Sequence, residues 1–270
     1  MSALYGSDAY APREIADRIE TVGVAKARMP LLRMAVLGVL AGGFIGLGAL
    51  GNVLVLSDAS LPFATARLLG GLVFSIGLVL VIVAGAELFT GNNLLAMAWA
   101  DGKVSTRELL RNWTVVCAAN FVGAAGLALL VFLSGHALLN DGRIAATYVA
   151  IATAKCELDA MTAFFRGVLC NVLVCLAVWM AMAGRSVVDK VVVIVFPVTL
   201  FVAAGFEHSI ANMYLLPLAM LLPGGEAVTL AGFAGNLLPV IAGNLIGGSV
   251  LVALVYFLAY RAGEGGGKAA

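Results

Sequence analysis

Charge is the scarcest property of this 270-residue chain: Asp, Glu, Lys and Arg make up 11% of it, against 62% apolar residues. Soluble domains carry about a quarter charged residues, so a soluble globular fold is excluded. The net charge of +1 offers no basic surface for nucleic acid. Histidine is almost absent, with His136 and His208 alone, and the four cysteines (Cys117, Cys156, Cys170, Cys175) show no metal-ligand spacing. There is no HExxH, no Ser-His-Asp candidate and no GxxxxGK[ST] loop, so neither hydrolysis nor ATP-driven pumping has residues to run on. An enzyme is not expected, and neither is a metal or other cofactor. The first thirty residues are polar and mixed in charge rather than a basic stub before a short apolar core, so no signal peptide is expected.

What the chain has in excess is uncharged apolar length. A bilayer core about 30 Å thick takes about 20 apolar residues per helix. Residues 34–57, 68–86, 112–140, 167–184 and 227–260 contain no Asp, Glu, Lys or Arg, and 191–206 is nearly as long. This pattern predicts six spans, at about 33–56, 65–97, 108–135, 160–183, 189–221 and 235–260. The second and fifth are too long for one plain crossing, and each holds a glutamate near its middle; both read as interrupted helices. A short amphipathic helix with Ile15, Ile19 and Val22 on one face precedes them and is expected at the membrane surface. The chain therefore divides into an N-terminal segment, 1–30, a six-helix membrane domain, 31–262, and a tail, 263–270. Twelve Lys and Arg, Lys26 among them, fall on one side of the predicted spans. Arg67, Arg143 and Lys155 fall on the other, and Arg166 lies inside the fourth span. By the positive-inside rule both termini are expected in the cytoplasm.

The halves repeat. Gly85, Glu87 and Asn92 in span 2 recur at the same offsets as Gly205, Glu207 and Asn212 in span 5. Asn120-x-x-Gly123 in span 3 recurs as Asn244-x-x-Gly247 in span 6. With three spans per half, the second half enters from the opposite side, an inverted repeat in which broken helices meet near the midplane around a solute path.

Few residues can carry chemistry in such a setting. A charge at the bilayer centre costs about 3 kcal/mol even on insertion scales, so Glu87 and Glu207 need partners. They either hold the broken helix ends, whose free N–H and C=O groups must be satisfied, or face the solute. His208 is the one histidine inside a span. At a helix break beside a buried glutamate it reads as a pore residue, able to donate to an anion and, with an ordinary pKa of about 6.5, to change charge in the physiological range. Asn171 is either a clamp between helices or a pore-lining donor. Thr90 is a neutral hydrogen-bonding group. Lys155 is either an interfacial lysine or a charge that draws anions to a mouth. Abundant glycine, with 32 residues, lets membrane helices approach closely.

Three segments resemble the signatures of the formate/nitrite transporter family: Ala86-Glu-Leu-Phe-Thr-Gly-Asn, Leu169-Cys-Asn-Val-Leu-Val-Cys-Leu-Ala-Val-Trp-Met-Ala and Gly205-Phe-Glu-His-Ser-Ile-Ala-Asn-Met. The resemblance implies a homopentamer of aquaporin-like protomers in a bacterial or archaeal inner membrane, each protomer with its own pore for a small monovalent anion. It matches Phe74, Leu78, Leu88 and Phe201 to two apolar constrictions, and Thr90, Asn171 and His208 to the polar residues between them. It matches Lys155 to a lysine near the outer vestibule. Gly184-Arg-Ser-Val-Val-Asp-Lys and Asp8-Ala-Tyr-Ala-Pro resemble the formate branch, so pH-dependent formate passage is the leading expectation. A nitrite or hydrosulfide channel of the same fold is the alternative. An aquaporin-type pore for neutral solutes fits less well, because Asn92 and Asn212 are followed by Asn93 and Met213 and not by Pro-Ala.

Overall fold

The computed structural model describes residues 8–261; the tail expected at 263–270 lies outside them. Among the described residues there is no β-strand, only a bridge between Ala9 and Gly184. Ten helical elements follow: α1 Pro12–Ala27, α2 Leu31–Leu56, α3 Phe63–Gly85, α4 Leu95–Ala100, α5 Thr106–Leu133, α6 Arg143–Cys156, α7 Ala160–Ala181, α8 Val187–Ala203, α9 Ser209–Leu221 and α10 Leu230–Tyr260. Of these, α2, α3, α5, α7 and α10 are long and apolar enough to cross a membrane, and α9 is a shorter apolar helix. The sequence pattern located these runs because charge-free length is the property a bilayer selects.

Helix α3 stops at Gly85, whose φ of +87° only glycine adopts without strain, and Ala86 is extended. The chain turns helical again at Gly91, first as a 3₁₀ turn and then as α4. Similarly α8 ends before Gly205, at φ +76°, and α9 begins at Ser209. The last six residues of α3 are π-helical, as is Ile246–Leu254 within α10; π-turns are frequent at functional sites.

Glycine sets the two tightest crossings. A Cβ on Gly123 of α5 would stand 1.9 Å from the Val39 carbonyl of α2, and one on Gly247 of α10 would stand 2.2 Å from the Val168 carbonyl of α7. No side chain fits either gap, so the backbones touch directly.

Two elements differ from expectation. The segment before α7 contains a helix, α6, that buries Ile144, Tyr148 and Ala152. Its 14 residues include Arg143 and Lys155, and the charge-free run between them is too short for a span. Helix α1 buries Ile15 and Ile19 against the bundle itself, so its apolar face is used by the protein. Its polar side is tied down by ions. Glu20, 1% exposed, takes both Lys103 and Arg261, while Arg261 also reaches Asp17 at 2.6 Å. Burial works against the charge on Lys103, but hydrogen bonds to Asp101 and Glu20 outweigh it and hold the pKa above the usual lysine value. The two segments resembling the formate branch meet here. The Tyr10 amide donates to the Ala183 carbonyl at 3.0 Å, and the Tyr10 ring lies 4.1 Å from the Arg18 guanidinium and 4.0 Å from that of Arg185.

Candidate functional site

The two chain breaks are held by matching sets of side chains. Asn92 donates to Glu87 Oε2 at 2.8 Å and to Asn112 Oδ1 at 2.9 Å; Asn112 in turn donates to the Lys26 carbonyl, and Lys26 Nζ sits 3.0 Å from Glu87 Oε1. In the other half Asn212 donates to Glu207 Oε2 and to Asn236 Oδ1, both at 2.7 Å. Asn236 donates to the Lys155 carbonyl, and Lys155 Nζ sits 2.7 Å from Glu207 Oε1. Each lysine comes from the helix that opens its half, Lys26 near the end of α1 and Lys155 near the end of α6.

At both breaks asparagine amides, and not the carboxylates, take backbone groups, while the N–H groups of Glu87 and Glu207 go to the carbonyls of Leu37 and Arg166. Asn120 Oδ1 accepts the Phe89 N–H, and its amide donates to the carbonyls of Glu87 and Gly38. Asn244 Oδ1 accepts the Ser209 N–H, and its amide donates to the carbonyls of Glu207 and Gly167. Such an amide suits the task because it offers two donors and an acceptor from one neutral group. Sequence reading used Asn120 and Asn244 only as marks of the repeat and gave no role to Lys26, Asn112 or Asn236.

Within this frame His208 caps α9: its Nδ1 accepts the Ala211 N–H at 3.2 Å, and its Nε2 lies 3.1 Å from Thr90 Oγ1. Because Nδ1 must be a lone pair to accept, a neutral ring carries its hydrogen on Nε2 and donates it to Thr90. The Thr90 hydroxyl hydrogen is then left to donate onward. A second proton on the ring must enter at Nδ1, where the Ala211 N–H already points, so protonation and the cap exclude one another. Asn171 braces the far side of Thr90. Its amide donates to Asn93 Oδ1 and the Asn244 carbonyl, both at 2.7 Å, and to the Thr90 carbonyl at 3.2 Å, which Cys175 Sγ also reaches at 3.3 Å.

Three cavities run in series through the bundle. The first, about 230 Å³, is lined by Lys155, Arg67, Arg166, Glu207 and His208 and is closed off by Phe74 and Phe201. Those two rings meet edge to face with centroids 5.6 Å apart, and Phe201 stacks on the His208 ring at 5.8 Å. The middle cavity is only about 10 Å³; Phe74, Phe201 and His208 form one wall and Leu78 and Leu88 the other, with Ile45, Val174 and Val198 around it. A water needs about that much room, so no hydrated ion fits. Beyond Leu78 and Leu88 a third cavity of about 50 Å³ opens toward Lys26 and Asn92, under Ile19 of α1. His208 is the sole polar side chain lining the middle cavity.

Known proteins similar to this chain are transporters and channels. The family model described as "Formate/nitrite transporter" matches residues 13–258. An uncharacterised transporter of Bacillus subtilis (strain 168), YrhG, is 39% identical over 254 residues, 93% of each chain. The formate channel FocA of Escherichia coli (strain K12) is 37% identical over 271 residues, 94% of this chain and 95% of its own. A solved structure described as a pentameric formate channel with formate bound superposes with a TM-score of 0.77 at 38% identity, covering 85% of this chain and 97% of that one. The chain belongs to the formate/nitrite transporter family.

Proposed function

We propose that this chain conducts formate through a pore in each protomer of a homopentamer. Each protomer then crosses the cytoplasmic membrane six times, with α3–α4 and α8–α9 as the two interrupted crossings and both termini in the cytoplasm. Nitrite and hydrosulfide, small monovalent anions too, pass less well. The observation that carries the reading is His208, hydrogen-bonded to Thr90 and the one polar side chain lining a dry cavity between two apolar gates, with a lysine-bearing cavity on either side.

The path works by substituting for water in steps. Lys155 and Lys26, each ion-paired to a glutamate, mark the two mouths. Phe74 with Phe201, and Leu78 with Leu88, keep the middle dry, and apolar constrictions of this kind gate by excluding water. These side chains must move aside for a solute, since the space between them holds about one water. An anion that enters loses hydration, and the Thr90 hydroxyl, polarised by His208 Nε2–H, supplies a replacement hydrogen bond. Asn171 acts as the brace that fixes Thr90, because its own hydrogens are taken by protein oxygens. Lowering the pH drives a proton onto His208 Nδ1, breaks the cap on α9 and puts a charge in the chamber; passage is thereby tied to pH.

A second reading, passage as neutral formic acid with the proton supplied at His208, is favoured by the dryness of the middle cavity, since a neutral acid crosses apolar surroundings far more cheaply than an anion. The two readings part in one measurement. Formate influx into proteoliposomes carrying a pH dye moves one proton per formate in the second and none in the first. Absence of formate flux from the wild-type protein refutes both.

A further inference from the structure

The first cavity holds three cations and one carboxylate, and they are not equally engaged. Lys155 is taken by Glu207 at 2.7 Å. Arg67, half-buried, donates Nε to the Ala203 carbonyl at 3.0 Å and Nη2 to the Val202 carbonyl at 2.9 Å, the carbonyls left open where α8 ends. Gly205 gives it room, since a Cβ there would stand 2.9 Å from Arg67 Nη2. Arg166 is different. It lies six residues into α7, its side chain is exposed, and its guanidinium has no hydrogen bond or ion pair to any described residue. It nonetheless lines the same cavity as Arg67 and Lys155, and the charges of the two arginines act on one another. An arginine inside an apolar span is costly and faces a water-filled cavity or a functional partner. The Lys26 cavity has no counterpart: its lysine is paired with Glu87 and no arginine lines it.

We infer that Arg166, with the uncommitted Nη1 edge of Arg67, forms a staging site for a small anion with two oxygens on one atom, just ahead of the Phe74–Phe201 gate. The inference rests on the reading of the chain as an anion path and names the group that first receives the solute. Two oxygens in a plane meet two parallel N–H groups along one edge of a guanidinium, which a spherical halide cannot do and a lysine ammonium does not reward. Formate, nitrite and acetate share that geometry. Lys155 does not serve as the receiver, because Glu207 neutralises it. The site therefore draws such anions to one mouth and not the other, and it accepts acetate even where the gate does not pass it.

The test uses the full chain in oriented proteoliposomes and, separately, in detergent. Arg166→Gln should raise the formate concentration for half-maximal influx from the Arg166 side by about threefold to tenfold, the range for loss of a charge-assisted bidentate contact in a wet vestibule. The defect should shrink at high formate and be absent for entry from the Lys26 side. Arg166→Lys should fall between, keeping the charge and losing the fork. Acetate should inhibit the wild type more than equimolar chloride does, and this difference should vanish in Arg166→Gln. In detergent, formate should raise the unfolding temperature of the wild type and leave that of Arg166→Gln unmoved. If the wild type carries formate and Arg166→Gln matches it in half-saturation and in formate-induced stabilisation, the inference is overturned. An equal defect from both sides also overturns it. If formate stabilises the wild type through Arg166 and yet no flux is seen, the staging site stands and the channel reading falls. Elution of both variants as the wild-type assembly excludes misfolding as the cause.

Discussion

His208 has two jobs that a pair of substitutions separates. Its Nδ1 caps α9 through the Ala211 N–H, and its Nε2 meets Thr90. Phenylalanine fills a similar volume and does neither. Loss of an N-cap costs about 1 kcal/mol, and leaving the fully buried Thr90 hydroxyl without its partner costs about 1–3 kcal/mol. His208→Phe should therefore lose about 2–4 kcal/mol. Asparagine is among the best N-caps but is too short to reach Thr90, so His208→Asn should be the more stable of the two by about 1 kcal/mol, the worth of the cap. Transport should follow the other job. His208→Phe should abolish formate passage, and His208→Asn should retain part of it without pH dependence. The assays are denaturation midpoints in detergent and uptake of labelled formate between about pH 5 and 8, a window that spans the ordinary imidazole pKa. Equal stability of the two variants would refute the cap. Wild-type pH dependence in both would sink the role assigned to the ring, although family membership would stand.

Three further outcomes test the frame around it. Leu78→Ala or Phe201→Ala should raise flux or weaken anion selectivity, read as conductance in bilayers; unchanged values in both would remove the gates from the pathway. Lys155→Gln should lower stability by about 3–5 kcal/mol because Glu207, 4% exposed, is left as a buried unpaired charge, and Lys155→Gln with Glu207→Gln should recover part of that loss; an additive double variant would show the pair is not coupled. Gly123→Ala and Gly247→Ala should prevent assembly of the folded protein, because each Cβ would meet a backbone carbonyl at about 2 Å; normal expression and elution of either would refute the tight crossing.

Charge-free length made the apolar helices legible, and the paired Gly-x-Glu made the chain breaks legible, because glycine at positive φ and a carboxylate in an apolar run are both costly unless used. The partners of those glutamates were not legible. The two glutamates are 120 residues apart (87 to 207), the asparagines that bond Asn92 and Asn212 are 124 apart (112 to 236), and the lysines are 129 apart (26 to 155). Loops of different length had shifted each pair; Asn112 and Asn236 share the offset of Asn120 and Asn244 but stand in no matching motif, and the lysines lie at an offset of their own. Ala25-Lys26-Ala27 and Ala154-Lys155-Cys156 were the available signal. Arg166 was visible as an arginine inside a span. What sequence could not show is that Glu207, the one carboxylate lining the same cavity, is already taken by Lys155, since that depends on which side chains share a cavity.

The two halves also show where repetition has to stop. At the chain breaks the same bonds form twice, Phe89 N–H to Asn120 and Ser209 N–H to Asn244, Asn92 to Glu87 and Asn212 to Glu207. In that register Leu88 corresponds to His208 and Thr90 to Ile210. The frame is thus doubled and the chemistry is single: one half supplies an apolar gate and a hydroxyl, the other a histidine and an apolar side chain. A symmetric pair of histidines would put two polar rings in a cavity of about 10 Å³ and leave no dry barrier, while a symmetric pair of leucines would leave nothing to replace the water an anion loses. Scaffold residues can be duplicated because each satisfies its own backbone. The residues proposed to meet the solute have to differ because they must bond to each other, as His208 and Thr90 do across the interface between the halves.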